Sequence, residues 1–167
     1  TWNNDGTAFF IGENNRIEAF TFDESTNTIT QVASTFVDVG PSVRSVSYHP
    51  TDDYLAVGGN DTPDVRVYNV SGGTLGPEVT LPSTVTSLSA QVAWHPDGDY
   101  LAIGGNDTLY AWDFNASTGA FGSTQYTTTN INNQAQCISW HPNGTFCAVG
   151  TGGEGIRVFP FSKSTGW

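Results

Sequence analysis

The chain has no methionine, two cysteines and only five Lys plus Arg among its 167 residues, and each scarcity excludes something. With sixteen Asp plus Glu the formal net charge is −11. A surface of that sign repels phosphate, whose binding needs clustered cations, so nucleic acid is excluded as a partner and anionic membrane surfaces are disfavoured. No run approaches the roughly eighteen apolar residues that span a bilayer, so no membrane insertion is expected. The start lacks the basic-then-apolar pattern of a signal segment. Without an initiator, Thr1 is expected to open a processed or trimmed product. Charged residues are only 13% of the chain and lie scattered through polar stretches, which suits solubility and excludes a disordered acidic tail. That mix, with abundant Ser, Thr, Asn and Gly, is common in secreted β-proteins.

What is present is a period. Trp2, Tyr48, Trp94 and Trp140 follow one another at intervals of 46 residues. Ten residues after each comes a glycine: Gly12, Gly58, Gly104 and Gly150. The three histidines, His49, His95 and His141, fall on the same grid, each followed by proline. Rare residues in such register mark an internal repeat. The third unit shows its content. A first strand is expected over Leu88 to Trp94, then turn chemistry at His95-Pro96-Asp97-Gly98. Tyr100 to Gly104 is a short apolar run suited to burial on both faces. Leu109 to Phe114 and a polar stretch from Phe121 to Thr128 complete four strands. No window shows a helical period, and a four-stranded unit of this length is the size of a propeller blade.

The stretch Val92 to Asp107 resembles the core of the WD-repeat family. Trp112-Asp113 is similar to the dipeptide for which the family is named; the other units carry Phe20-Thr21, Tyr68-Asn69 and Phe159-Pro160 there. Asp61 and Asp107 are similar to the turn aspartate that family members use to tie a blade's loops. The family's Gly-His pair before the first strand is missing throughout. The resemblance covers the whole chain and implies an all-β fold of propeller blades. About 3.6 repeats form a single propeller segment, 1–167, with units near 1–40, 41–86, 87–132 and 133–167. The first and last are incomplete. The segment opens on the end of a first strand and closes after a third, Ile156 to Phe161. Propellers close with four to eight blades. An open arc would leave sheet edges that recruit partners, so the chain is expected to be part of a longer array, with a ring of two copies or a strand-exchanging filament as the alternatives.

The histidines invite a metal site, but equivalent positions on successive blades stand about 10 Å apart, as packed sheets do, so no metal is expected. Asp52-Asp53 and Asp97-Gly98-Asp99 lack a calcium-loop pattern and read as turn residues. Cys137 and Cys147 flank the turn at Pro142-Asn143-Gly144. A cross-strand disulfide or two free thiols are both open, depending on register. Five sequons, at Asn60, Asn69, Asn106, Asn115 and Asn143, are candidate glycan acceptors if the protein is secreted, and otherwise are turn asparagines. The recurrent Trp2, Tyr48, Trp94 and Trp140 and the four glycines are expected to pack blade against blade. No catalytic constellation or cofactor motif stands out. The expectation is a non-enzymatic structural or binding module in an extracellular or surface assembly, able to form filaments. Its expected partners are other protein chains, copies of itself, further blades, or glycans. Two alternatives stand beside it: a lactonase-like propeller hydrolase with a channel metal, and an intracellular, cytoplasmic WD-repeat scaffold.

Overall fold

The computed structural model describes residues 1–60, 64–82, 90–129, 131–153 and 155–167. Among these residues there are strands and no helices, arranged as four antiparallel sheets that follow one another along the chain. The first sheet holds β1 (Ala8–Glu13), β2 (Arg16–Asp23) and β3 (Thr28–Phe36). The second holds β4 (Ser45–Tyr48), β5 (Tyr54–Gly58), β6 (Val65–Ser71) and β7 (Thr74–Val79). The third holds β8 (Gln91–Trp94), β9 (Tyr100–Gly104), β10 (Leu109–Asn115) and β11 (Ala120–Thr128). The fourth holds β12 (Ala135–Trp140), β13 (Phe146–Thr151) and β14 (Gly155–Pro160). In every sheet the strands lie in chain order. The expected second strand of the third unit is β9 itself, and β10 and β11 each run one residue beyond their expected limits. Of the expected first strand, Leu88 and Ser89 lie outside the described residues. Ahead of β1, only an isolated bridge from Trp2 to Phe9 remains of a first strand in the first unit.

The sheets are blades, each packing a face on the next. One apolar cluster joins Phe10, Ile17 and Ala19 of the first sheet to Tyr48, Leu55 and Val57 of the second. Another joins Ala56, Val65 and Val67 to Val92, Trp94, Leu101 and Ile103 of the third. A third joins Leu109 to Ala135, Cys147 and Val149 of the fourth. Middle strands are therefore apolar on both faces: every residue of β9 is buried. Outer strands meet water, and β3 reads Thr-Ile-Thr-Gln-Val-Ala-Ser-Thr-Phe with no buried residue. Glycine permits the close approach at each junction. A Cβ on Gly58 would lie 2.3 Å from the Ala90 carbonyl oxygen, and one on Gly104 would lie 2.8 Å from Ala135 Cβ. A Cβ on Gly12 would collide with Val43, 2.2 Å away.

One question that the sequence leaves open is answered, and two expectations are corrected. Cys137 and Cys147 do not pair; both are free thiols, Cys137 exposed and Cys147 buried. The β12–β13 register sets Cys137 opposite Gly150 and Trp140 opposite Cys147. The two cysteines are offset by three residues, about 10 Å along the strands, and point to opposite faces, whereas a disulfide needs Cα atoms within about 7 Å. Trp2 is not packed between blades like Tyr48 and Trp94: it is 50% exposed, because it lies on the outer face of the first sheet, which no other sheet covers. Asp107 does not tie the loops through its carboxylate. It is exposed in a left-handed turn with φ 58°, and the loop is held by backbone instead, the Asp107 N–H donating to the Asn133 carbonyl at 3.3 Å and the Ala135 N–H to Gly105 at 3.0 Å. Asp61 lies outside the described residues.

Candidate interaction site at the blade junctions

The His-Pro turns do more than turn the chain. His49 and His95 are buried, at 0% and 2% exposure, and each reaches across to the following blade. His49 Nε2 donates to the Gly98 carbonyl at 3.0 Å, and His95 Nε2 donates to the Gly144 carbonyl at 3.1 Å. The donor assignment follows from the opposite ring nitrogen. His49 Nδ1 accepts the backbone N–H groups of Thr51 and Asp52 at 3.3 and 3.1 Å, and His95 Nδ1 accepts that of Asp97 at 3.2 Å. An Nδ1 that accepts carries no proton, so both rings are neutral with the proton on Nε2. The 3.7 Å approach of Asp52 to His49 is accordingly no ion pair. Burial pushes both imidazoles below their ordinary value, outweighing the carbonyl bonds and the nearby carboxylates that favour the charged ring.

Each ring also sits edge-on against the next blade's tryptophan, His49 on Trp94 at 4.7 Å and His95 on Trp140 at 4.8 Å. Phe114 and Phe161 complete the two boxes from the following blade, and Tyr54 and Tyr100 complete them from the histidine's own blade. The tyrosine hydroxyls reach further, donating to the Ala116 and Lys163 carbonyls at 3.3 and 3.1 Å. The accepting glycines have φ of 80° and 73°, and a Cβ on either would fall within 2.3 or 2.1 Å of the histidine ring. Serine adds a backbone link: Ser47 Oγ accepts the Trp94 N–H at 3.2 Å. The clasp was missed in the sequence because a His-Pro turn carries no sign of where its ring points; the shared 46-residue grid of His, Trp and Gly was the available signal.

The junction between the first and second sheets lacks the clasp. Asn3 stands where histidine would, Ala8 for tyrosine, Tyr48 for tryptophan, Val70 for phenylalanine and Asp52 for glycine. A cavity of about 360 Å³ lies there, lined in part by Asn3, Ala8, Tyr48, Asp53 and Val70. The Tyr48 hydroxyl donates to Asp53 at 2.7 Å, and burial with that carboxylate raises the phenol well above its usual range.

The remaining candidate residues hold turns and strands. Asn115 accepts from the Ser117 and Thr118 N–H groups at 3.1 and 3.3 Å, and Asn143 from the Thr145 N–H at 3.0 Å. Asn60 accepts the Ser42 N–H, and Asn106 bridges to Gln134. Asn69 lies half-buried in β6. Trp112 is buried, and Asp113 accepts the Thr124 N–H at 2.9 Å where β10 and β11 shift register. Among the described residues no group of three His, Cys, Asp or Glu side chains converges as a metal site would.

Four antiparallel meanders packed face to face, the second clasping the third and the third the fourth, define a segment of a β-propeller. The family described as "WD domain, G-beta repeat" matches residues 16–62 and 76–113, and the chain belongs to this WD40 family. No curated protein sequence matches the chain. Among solved structures, one titled "Crystal Structure of Mitotic Checkpoint Complex" aligns over 97% of this chain and 50% of its own, at 17% identity and a TM-score of 0.72. Another, Sqt1 of Chaetomium thermophilum bound to the N-terminus of the ribosomal protein L10, aligns over 96% of this chain and 44% of its own, at 19% identity and a TM-score of 0.72. The chain spans about half the length of these propellers.

Proposed function

We propose that this chain is a non-catalytic WD40 scaffold that binds other protein chains. The observation that carries the proposal is the WD40 match on a fold of meander blades, whose end sheets offer apolar faces that a further blade or a partner chain can cover. On the last sheet Ile156 and Val158 are 78% and 60% exposed, while the equivalent Leu109 and Ala111 of the third sheet are fully buried. On the first sheet Ile11 is 48% exposed where Val57, Ile103 and Val149 are buried. Apolar faces of this kind are covered by protein, whether a neighbouring blade or a partner chain. The two similar solved structures support a protein partner, since one is a mitotic checkpoint complex and the other is Sqt1 bound to the N-terminus of the ribosomal protein L10. An intracellular setting suits a chain whose two thiols are held apart. An extracellular surface role would instead use the exposed Asn106, Asn115 and Asn143 as glycan acceptors.

The test is capture of partners from the source organism, followed by calorimetry of each purified partner with the wild type and with Ile156→Glu. A micromolar partner that the substitution weakens supports the scaffold. Turnover of a lactone or ester panel with divalent metal, and no protein partner, would overturn it. The intact mass of the native protein separates the two settings by the presence of sugar.

A further inference from the structure

Resting on the scaffold reading, we propose that the cavity between the first and second sheets receives an arginine side chain of a partner protein. The cavity lies where the repeat itself would place a ring. At the next two junctions the same space holds a histidine, packed among a tyrosine, a tryptophan and a phenylalanine. Here Asn3, Ala8, Tyr48 and Val70 stand in their places, and about 360 Å³ is left between two sheets that elsewhere pack closely. That volume falls within the range of about 300–1,000 Å³ usual for ligand pockets.

Both walls belong to facing sides of sheets that the chain itself supplies. A further blade would pack on the opposite face of the first sheet, where Trp2 and Ile11 are exposed. A longer first strand would run from the Trp2–Phe9 bridge beside Ile11 and Gly12, away from the turn at Asn3 to Thr7. Neither would fill this space.

The lining selects the occupant. Ala8, Phe10 and Val70 are buried and form an apolar floor, and the Tyr48 ring stacks on Phe10 at 5.6 Å. Two exposed carboxylates stand at the rim: Asp53, which accepts the Tyr48 hydroxyl at 2.7 Å, and Asp5, which accepts the Thr7 N–H at 2.9 Å. Asp23 and Glu24 lie at the same end of the strands, whereas Arg16, Arg44 and Arg66, the only Lys or Arg residues of the first two sheets, lie at the other. The field at the mouth therefore draws in a cation and repels phosphates and carboxylates. Between the two cationic side chains, the floor favours arginine. A guanidinium is flat and weakly hydrated, stacks on an aromatic ring and bridges carboxylates with its fork of N–H groups, whereas an ammonium is a compact, strongly hydrated charge.

Titration with N-acetyl-arginine methylamide, followed by amide proton–nitrogen correlation spectra of the 167-residue chain, tests the site. A millimolar dissociation constant is expected, with shifts at Tyr48, Asp53, Gly72 and Gly73. The citrulline counterpart, which keeps the shape and lacks the charge, should bind about tenfold or more weakly. Asp53→Asn should weaken the arginine compound by a similar factor, and Ala8→Tyr, which restores the ring of the other blades, should block it. The same spectra show whether each variant keeps the fold, and Asp53→Asn carries the test alone if Ala8→Tyr does not. No shift up to about 50 mM, a range that reaches weak single-residue contacts, would overturn the proposal. So would equal binding of the citrulline compound, or equal shifts at the acidic Asp97–Asp99 turn, whose junction is filled. A protein partner whose binding survives both substitutions sinks the arginine site alone. Arginine binding in a chain that engages no protein leaves the guanidinium pocket standing and sinks the scaffold reading alone.

Discussion

A single imidazole does three jobs in each clasp: it donates to the next blade, accepts from its own turn and fills an aromatic box. Removing it leaves a cavity and unpaired groups together. His49→Ala and His95→Ala are therefore each expected to destabilise the fold by about 2–4 kcal/mol in chemical denaturation, with unchanged m-value. Gly98→Ala should act in the same direction, since its Cβ falls 2.3 Å from the His49 ring and its φ is 80°. The clasp also sets a pH dependence. Both rings have folded values lowered by burial, despite Asp52 and Asp99 near His49 and Asp97 and Asp99 near His95, with Lys163 opposing at the latter. A base whose folded value lies below its unfolded one leaves the unfolded chain holding more protons. Stability is then full above the ordinary histidine value of about 6.5 and falls as the pH drops below it toward the folded values. The slope is about 1.4 kcal/mol per pH unit for each ring. Denaturation midpoints measured from pH 8 to pH 4.5 check this, and His49→Gln should halve the slope. A flat profile would refute the neutral-ring assignment.

At the scale of the element, period and composition made the strands legible. Tyr100 to Gly104 could be read as a strand covered on both faces because it is apolar without alternation, and β11 as the fourth strand of its unit because it is polar but for Ala120, Phe121 and Tyr126. The recurrent glycines were legible as packing residues, though not what each one meets. Gly58 and Gly104 face the following blade's backbone and side chains, whereas Gly150 faces only the Cys137 sulfur of its own sheet at 2.7 Å. Gly104→Ala should cost about 1–3 kcal/mol, because Ala135 and Ile138 cannot both yield. Gly150→Ala should stay within about 0.5 kcal/mol, because an exposed thiol can turn aside. Equal effects at the two sites would mean that the glycines serve strand geometry and not blade approach. Strand register could not be read in advance. Whether Cys137 meets Cys147 depends on pairing across the His141–Thr145 turn, which no residue type announces. Nor could the histidine's direction be read, since it depends on a tryptophan and a glycine 45 and 49 residues further along the chain.

The whole molecule behaves as a short one-dimensional array in which stability is a sum over blades and the junctions between them. Its junctions are unequal. The second and third are clasped by histidine and filled by aromatic boxes, while the first has Asn3, Ala8 and Val70 around a cavity of about 360 Å³. The first junction forgoes the hydrogen bond and the ring contacts of the histidine clasp, so it is the weakest link whatever covers the ends of the array. Sheets that detach along a weak junction exchange amide hydrogens through that partial opening and not through global unfolding. Native-state hydrogen exchange should therefore show the central amides of β1 and β2, at Phe10 and Ala19, exchanging about tenfold or more faster than those of β9 at Leu101 and Ala102. The β9 amides should exchange only with global unfolding, and their rates should fall into line with denaturation. If β1 and β2 were as protected as β9, the first junction would be as strong as the clasped ones, and the histidine clasp would not be what holds one blade to the next.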